Sequence, residues 1–180
     1  MVNYLKPIID KKEATFLMND FLYSNWWKKI NRSVKLVSIE KVYLPFWCFD
    51  YEAITHTVSE GMQGRIAIEP LSQMNAILPI DLEIETTEAD FFPIQKPLYK
   101  DSAQRLIYWE LFAKEKRREK IEVEILDQWL IHVPYWIGYT HDRNGVYDIV
   151  AVDALNGKVD IPIKDTALSY LCEIDEGLLT

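Results

Sequence analysis

Three histidines, two cysteines and a surplus of carboxylates are the groups in this chain that could do chemistry. A zinc site needs ligands at fixed spacings, such as two histidines four apart on a helix or a histidine near a cysteine pair. His56, His132 and His141 meet neither condition. Cys48 and Cys172 stand far apart, belong to no CxxC pair and have no base beside them that would activate a thiol. The six glycines form no phosphate loop, and there is no GxSxG nucleophile turn. No metal, cofactor or catalytic group is therefore assigned. If a reaction is carried out, its candidates are His132, His141 and neighbouring carboxylates, in a site between two modules.

Recognition is the better expectation, and aromatic residues carry it. Trp26 and Trp27 fall on a helical stretch, where adjacent side chains point about 100° apart, so one of them must leave the buried stripe. Trp47 and Trp136 stand in Leu44-Pro45-Phe46-Trp47 and Val133-Pro134-Tyr135-Trp136, where Phe46 and Tyr135 face the opposite side of a strand. One set fills the core under a helix; the other is covered by a sister module, a partner or water. Trp26, Trp27, Trp47 and Trp136 are the candidate partner-binding residues, for a protein or peptide. The basic run Lys114 to Lys120 contains interspersed glutamates and reads as a salt-paired helix end. A net charge of -8 argues against a nucleic-acid partner.

The elements that must position these residues follow from periodicity. Asp10 and Glu13 have capping-box spacing, and Ala14, Leu17, Met18, Phe21, Leu22, Trp26 and Ile30 recur at three and four, which predicts a helix closed by Lys28, Lys29 and Arg32. From Val34 the period falls to two. Two strands are expected, with a turn near Glu40-Lys41 and a bend at Pro45. A turn at Ser59 to Gly64, a strand from Arg65, a turn at Pro70 to Asn75 and a short strand at Ala76 to Ile80 complete the half. Residues 81–100, acidic and then proline-bearing, read as a linker.

The plan then recurs at an offset of 89: Ala103, Leu106, Leu111, Val123, Pro134 and Trp136 repeat Ala14, Leu17, Leu22, Val34, Pro45 and Trp47. Past Asp142-Arg143-Asn144-Gly145 the offset becomes 84, with Val152-Asp153 on Ile68-Glu69, and Ile161-Pro162-Ile163 falls on Leu78-Pro79-Ile80. The expected fold is α+β: two tandem copies of a helix followed by a four-stranded antiparallel meander, αββββ, related by a pseudo-twofold axis. The modules are 1–80 and 101–163, the linker 81–100 and the C-terminal tail 164–180.

The stretch Tyr147 to Val159 resembles the closing signature of PepSY domains, best over Val152 to Val159, where Val-Asp-Ala leads to an Asn-Gly turn. The Leu-Pro-Phe-Trp strand before Phe49-Asp50 is similar to a segment of an uncharacterised bacterial domain. The PepSY resemblance implies an inhibitory or interaction module. The absence of a signal-like start, of CxxC pairs and of any apolar window near the roughly 18 residues of a membrane span points to the cytoplasm. A homo-oligomer is left open.

Overall fold

The computed structural model describes residues 1–24, 34–55, 58–89, 91–94, 96–115 and 121–177. Its elements are β1 (Val2–Tyr4), α1 (Lys11–Ser24), β2 (Lys35–Thr55), β3 (Val58–Ile68), β4 (Asn75–Leu78), β5 (Glu85–Thr87), α2 (Lys100–Glu115), β6 (Ile121–His141), β7 (Tyr147–Asp153) and α3 (Ile163–Gly177). The strands form a seven-stranded sheet in the order β4-β3-β2-β6-β1-β5, with β7 also on β6. It is mixed: β1 runs parallel to β6, with Tyr4 opposite His132, whereas β2–β3, β3–β4 and β6–β7 are antiparallel.

This corrects the expectation of two αββββ copies, though the α+β content stands. No turn occurs at Glu40-Lys41. Alternation continues through that pair without a glycine or asparagine to reverse the chain, and β2 is one strand from Lys35 to Thr55. Gly61 and Gly64 lie inside β3, and the ring of Tyr51 occupies the space a Cβ on Gly64 would fill, so this glycine makes room for an aromatic. Among the described residues the second half has no strand at Ile161-Pro162-Ile163. Val159 makes only an isolated bridge to Val152, and Ile163 opens a third helix. An Asp160 Oδ1 atom accepts from the Ile163 amide at 3.2 Å and caps that helix.

The chain divides into two compact units, one of Met1–Asn3, Pro45–Ala89 and Pro93–Ile131, the other of Tyr4–Leu44, Asp90–Phe92 and His132–Thr180. In the first, α2 lays Ala103, Ile107 and Leu111, spaced at four, over Phe49, Tyr51, Ile66 and Ile68, with Ile121 and Val123 of β6 closing the core. Glu69 closes the turn after β3: its Oε2 accepts from the amides of Leu71 (2.9 Å) and Ser72 (2.6 Å) and from the Ser72 hydroxyl (2.7 Å).

In the second unit α1 begins at Asp10, whose Oδ1 accepts from the Glu13 amide at 2.8 Å. Ala14 and Met18 pack on Trp136, Val150, Val152 and Ala154. A Cβ on Gly138 would stand 2.5 Å from the Met18 sulfur and 2.7 Å from Leu36, so glycine there lets α1 approach the sheet. Ile149 and Ala151 point away from α1, yet both are buried, and α3 packs on the same strand with Ile163, Ala167 and Tyr170 inward. A strand covered on both faces reads as an unbroken apolar run, which explains Ile149 to Val152. Asp153 then turns the chain. Its Oδ1 accepts from the Leu155 amide (2.7 Å), its Oδ2 from the Asn156 side chain (2.6 Å), and Gly157 supplies the φ of 73° that ends the turn.

Candidate functional site

Of the four tryptophans expected to meet a partner, Trp47 and Trp136 are described, and both lie against a helix. Trp136 is only 9 % exposed and lies under α1. Its indole N–H donates to the carbonyl of Ile9, just before that helix, at 2.8 Å. Trp47 is partly buried against the α2 core, and its N–H donates to the Lys96 carbonyl, just before α2, at 3.3 Å. Each ring therefore packs beneath a helix and pins the chain that leads into it. The hairpins behind them share a register, Trp47 opposite Ile68 and Trp136 opposite Val152. Trp26, Trp27 and His56 lie outside the described residues, as do Lys116 to Lys120 of the basic run.

The ionisable groups are likewise engaged. His132 is buried, with Nε2 3.1 Å from the Phe92 carbonyl and its ring beside Phe91. His141 packs its ring against Tyr147 at the β6–β7 turn. There Asp142 holds the turn, its Oδ1 accepting from the amides of Asn144 (2.8 Å) and Val146 (2.9 Å). In the first unit Arg65 donates to both carboxylate oxygens of Asp50, at 2.6 and 3.0 Å, and to the Ile80 carbonyl at 3.0 Å, and it lies over the Trp129 ring. The fork is thus committed to a carboxylate of its own unit, which neutralises its charge. The hydrogen bond to Asp50, more than its charge, holds Arg65 protonated more firmly than usual. Burial pushes the thiol of Cys48 up to about 12, against a smaller opposing pull from Arg65. Among the described residues no three His, Cys, Asp or Glu side chains gather as a metal site requires.

On the outer face of α2 an aromatic group stands exposed. The buried stripe of α2 fixes the phase of the helix. Trp109, two positions past Ile107, lies about 200° around the axis and therefore points out. It is 63 % exposed, and Phe112 beside it is 38 % exposed. These rings and that of the half-buried Tyr108 touch one another, Tyr108 and Phe112 stacked at 6.1 Å, Trp109 edge-on to Tyr108 at 5.5 Å and to Phe112 at 5.9 Å. Spacings of three and four bring them together. The sequence reading used the inward residues of this helix and passed over Trp109; the same periodicity, followed to the opposite face, identifies it.

No family model, no curated protein and no solved structure matches this chain.

Proposed function

We propose that this protein is a non-enzymatic binding module that engages another polypeptide through the outward aromatic ridge of α2. The observation that carries the reading is Trp109, a large ring left in solvent but buttressed by Tyr108 and Phe112. Rings held against each other lose little freedom on binding, and tryptophan and tyrosine dominate the energetic centres of protein interfaces. The charged groups support the same reading, since Arg65, Asp50, Glu69, Asp142 and Asp153 close turns or ion pairs within their own unit. The likeness of Val152 to Val159 to PepSY domains agrees with an interaction role.

The test is capture from the host's own lysate by tagged protein, with wild type and Trp109→Ala compared side by side. Trp109 contributes little to the core, so the variant should keep its thermal midpoint within a few degrees. Loss of a specifically captured partner is expected, because truncating a central aromatic typically costs about 2 kcal/mol or more, roughly thirtyfold in affinity. An unchanged set of captured proteins from a folded variant would refute the assignment.

A further inference from the structure

Neither core is built from one end of the chain. In the first unit α2 follows residue 99, whereas the hairpin beneath it, β2–β3, ends at Ile68. In the second, α1 ends at Ser24, whereas the hairpin beneath it, β6–β7, begins after Ile131 within its unit. The indole pins cross in the same sense, Trp47 to Lys96 and Trp136 to Ile9. So do the amides of Ile8 and Ile9, which both donate to the Ala154 carbonyl, at 2.8 and 2.9 Å, and the Leu5 amide, which donates to the His132 carbonyl at 3.0 Å. The stretch up to Ala89 and the stretch from Pro93 onward are thus each other's partner in both units.

We infer that a second copy of this chain substitutes for either half, so that two copies folded together at high concentration form a dimer by exchanging their N-terminal halves. Outside the connector between β5 and α2 the exchanged dimer remakes the contacts between the two halves within each unit; the two forms differ at that connector and in the local concentration of the missing half. A short tether supplies that half at roughly millimolar effective concentration. Exchange should therefore appear as the protein concentration during folding approaches that range. Once formed, the dimer persists, because undoing it requires unfolding.

The test uses the full-length chain with a site-specific protease sequence inserted between the exposed Glu88 and Ala89. One preparation carries a tag at its N-terminus, the other a different tag at its C-terminus. Both are unfolded, mixed and refolded over a range of concentrations. The expected product has twice the monomer mass and carries both tags, is absent when native preparations are simply mixed, and after proteolysis yields monomer-sized particles that bear the two tags together. Two results would each overturn the inference: only monomer at every concentration up to the millimolar range, or a mixed dimer whose tags separate on proteolysis. The latter marks association through an outer surface such as the α2 ridge, so this inference and the proposed binding role fail on different observations.

Discussion

At Cys48 burial outweighs the attraction of Arg65, and a thiol titrating near 12 is almost wholly protonated at pH 8. Cys172 is exposed. A thiol reagent added to the native protein at pH 8 should therefore consume one equivalent quickly and the second only on unfolding; two fast equivalents would contradict the burial of Cys48. Asp153 is another residue whose surroundings alter its titration. Desolvation, chiefly, and the charge of Asp160 raise its pKa above 3.8 despite the hydrogen bonds it accepts from Leu155 and Asn156. The sign follows from linkage. Between 3.8 and the raised folded value the native state binds more protons than the unfolded one, so the contribution of this carboxyl to stability falls as pH rises through that window and is recovered on acidification. Asp153→Asn should flatten that slope in urea midpoints measured across the acid range, and an unaltered slope would remove Asp153 as its source. Much at this scale was legible. Asp10 at a helix start and Asp142 before Asn144-Gly145 are short-range signals, and both act as their positions suggest. The environment of Trp136 was not, because its burial depends on which distant helix comes to lie above it.

Helices α1 and α2 announce themselves by apolar residues at three and four, and the hairpins by alternation bounded by turn residues. Misreadings came where two local grammars compete. Ile161-Pro162-Ile163 looks like the short edge strand that Leu78-Pro79 helps to close, but Asp160 three residues ahead of Ile163 supplies a helix cap, and Ala167 and Tyr170 continue its buried stripe. Glu40-Lys41 looked like a turn only for being charged. How closely an element approaches its neighbour is the remaining question at this scale, and Gly138 answers it for α1. Gly138→Val places methyl groups where Met18 and Leu36 now lie, and overpacking of this kind costs about 1–3 kcal/mol. A fall in the urea midpoint of that order is expected, with the far-ultraviolet spectrum retained. No fall would mean that α1 is not held against β6 at this point.

For the whole molecule, the pairing of helix with hairpin is what local pattern could not supply. Both helices offer the same kind of stripe and both hairpins the same kind of face, so each half is consistent with covering itself. Choice among equivalent faces is non-local. No helix among the described residues is long and apolar enough to cross a membrane. The composite cores also bear on biosynthesis, which runs in one direction. When the ribosome has released only the first hundred residues, Phe49, Tyr51, Ile66 and Ile68 have no helix to cover them, and α1 has nothing to cover. The nascent polypeptide should stay protease-sensitive until α2 and the start of β6 have left the exit tunnel, and α1 should become protected only after β7 follows. Stalled translation products of increasing length, probed by limited proteolysis, would show two late steps in protection; an early one, before α2 emerges, would mean that the first half shelters its own apolar face during synthesis.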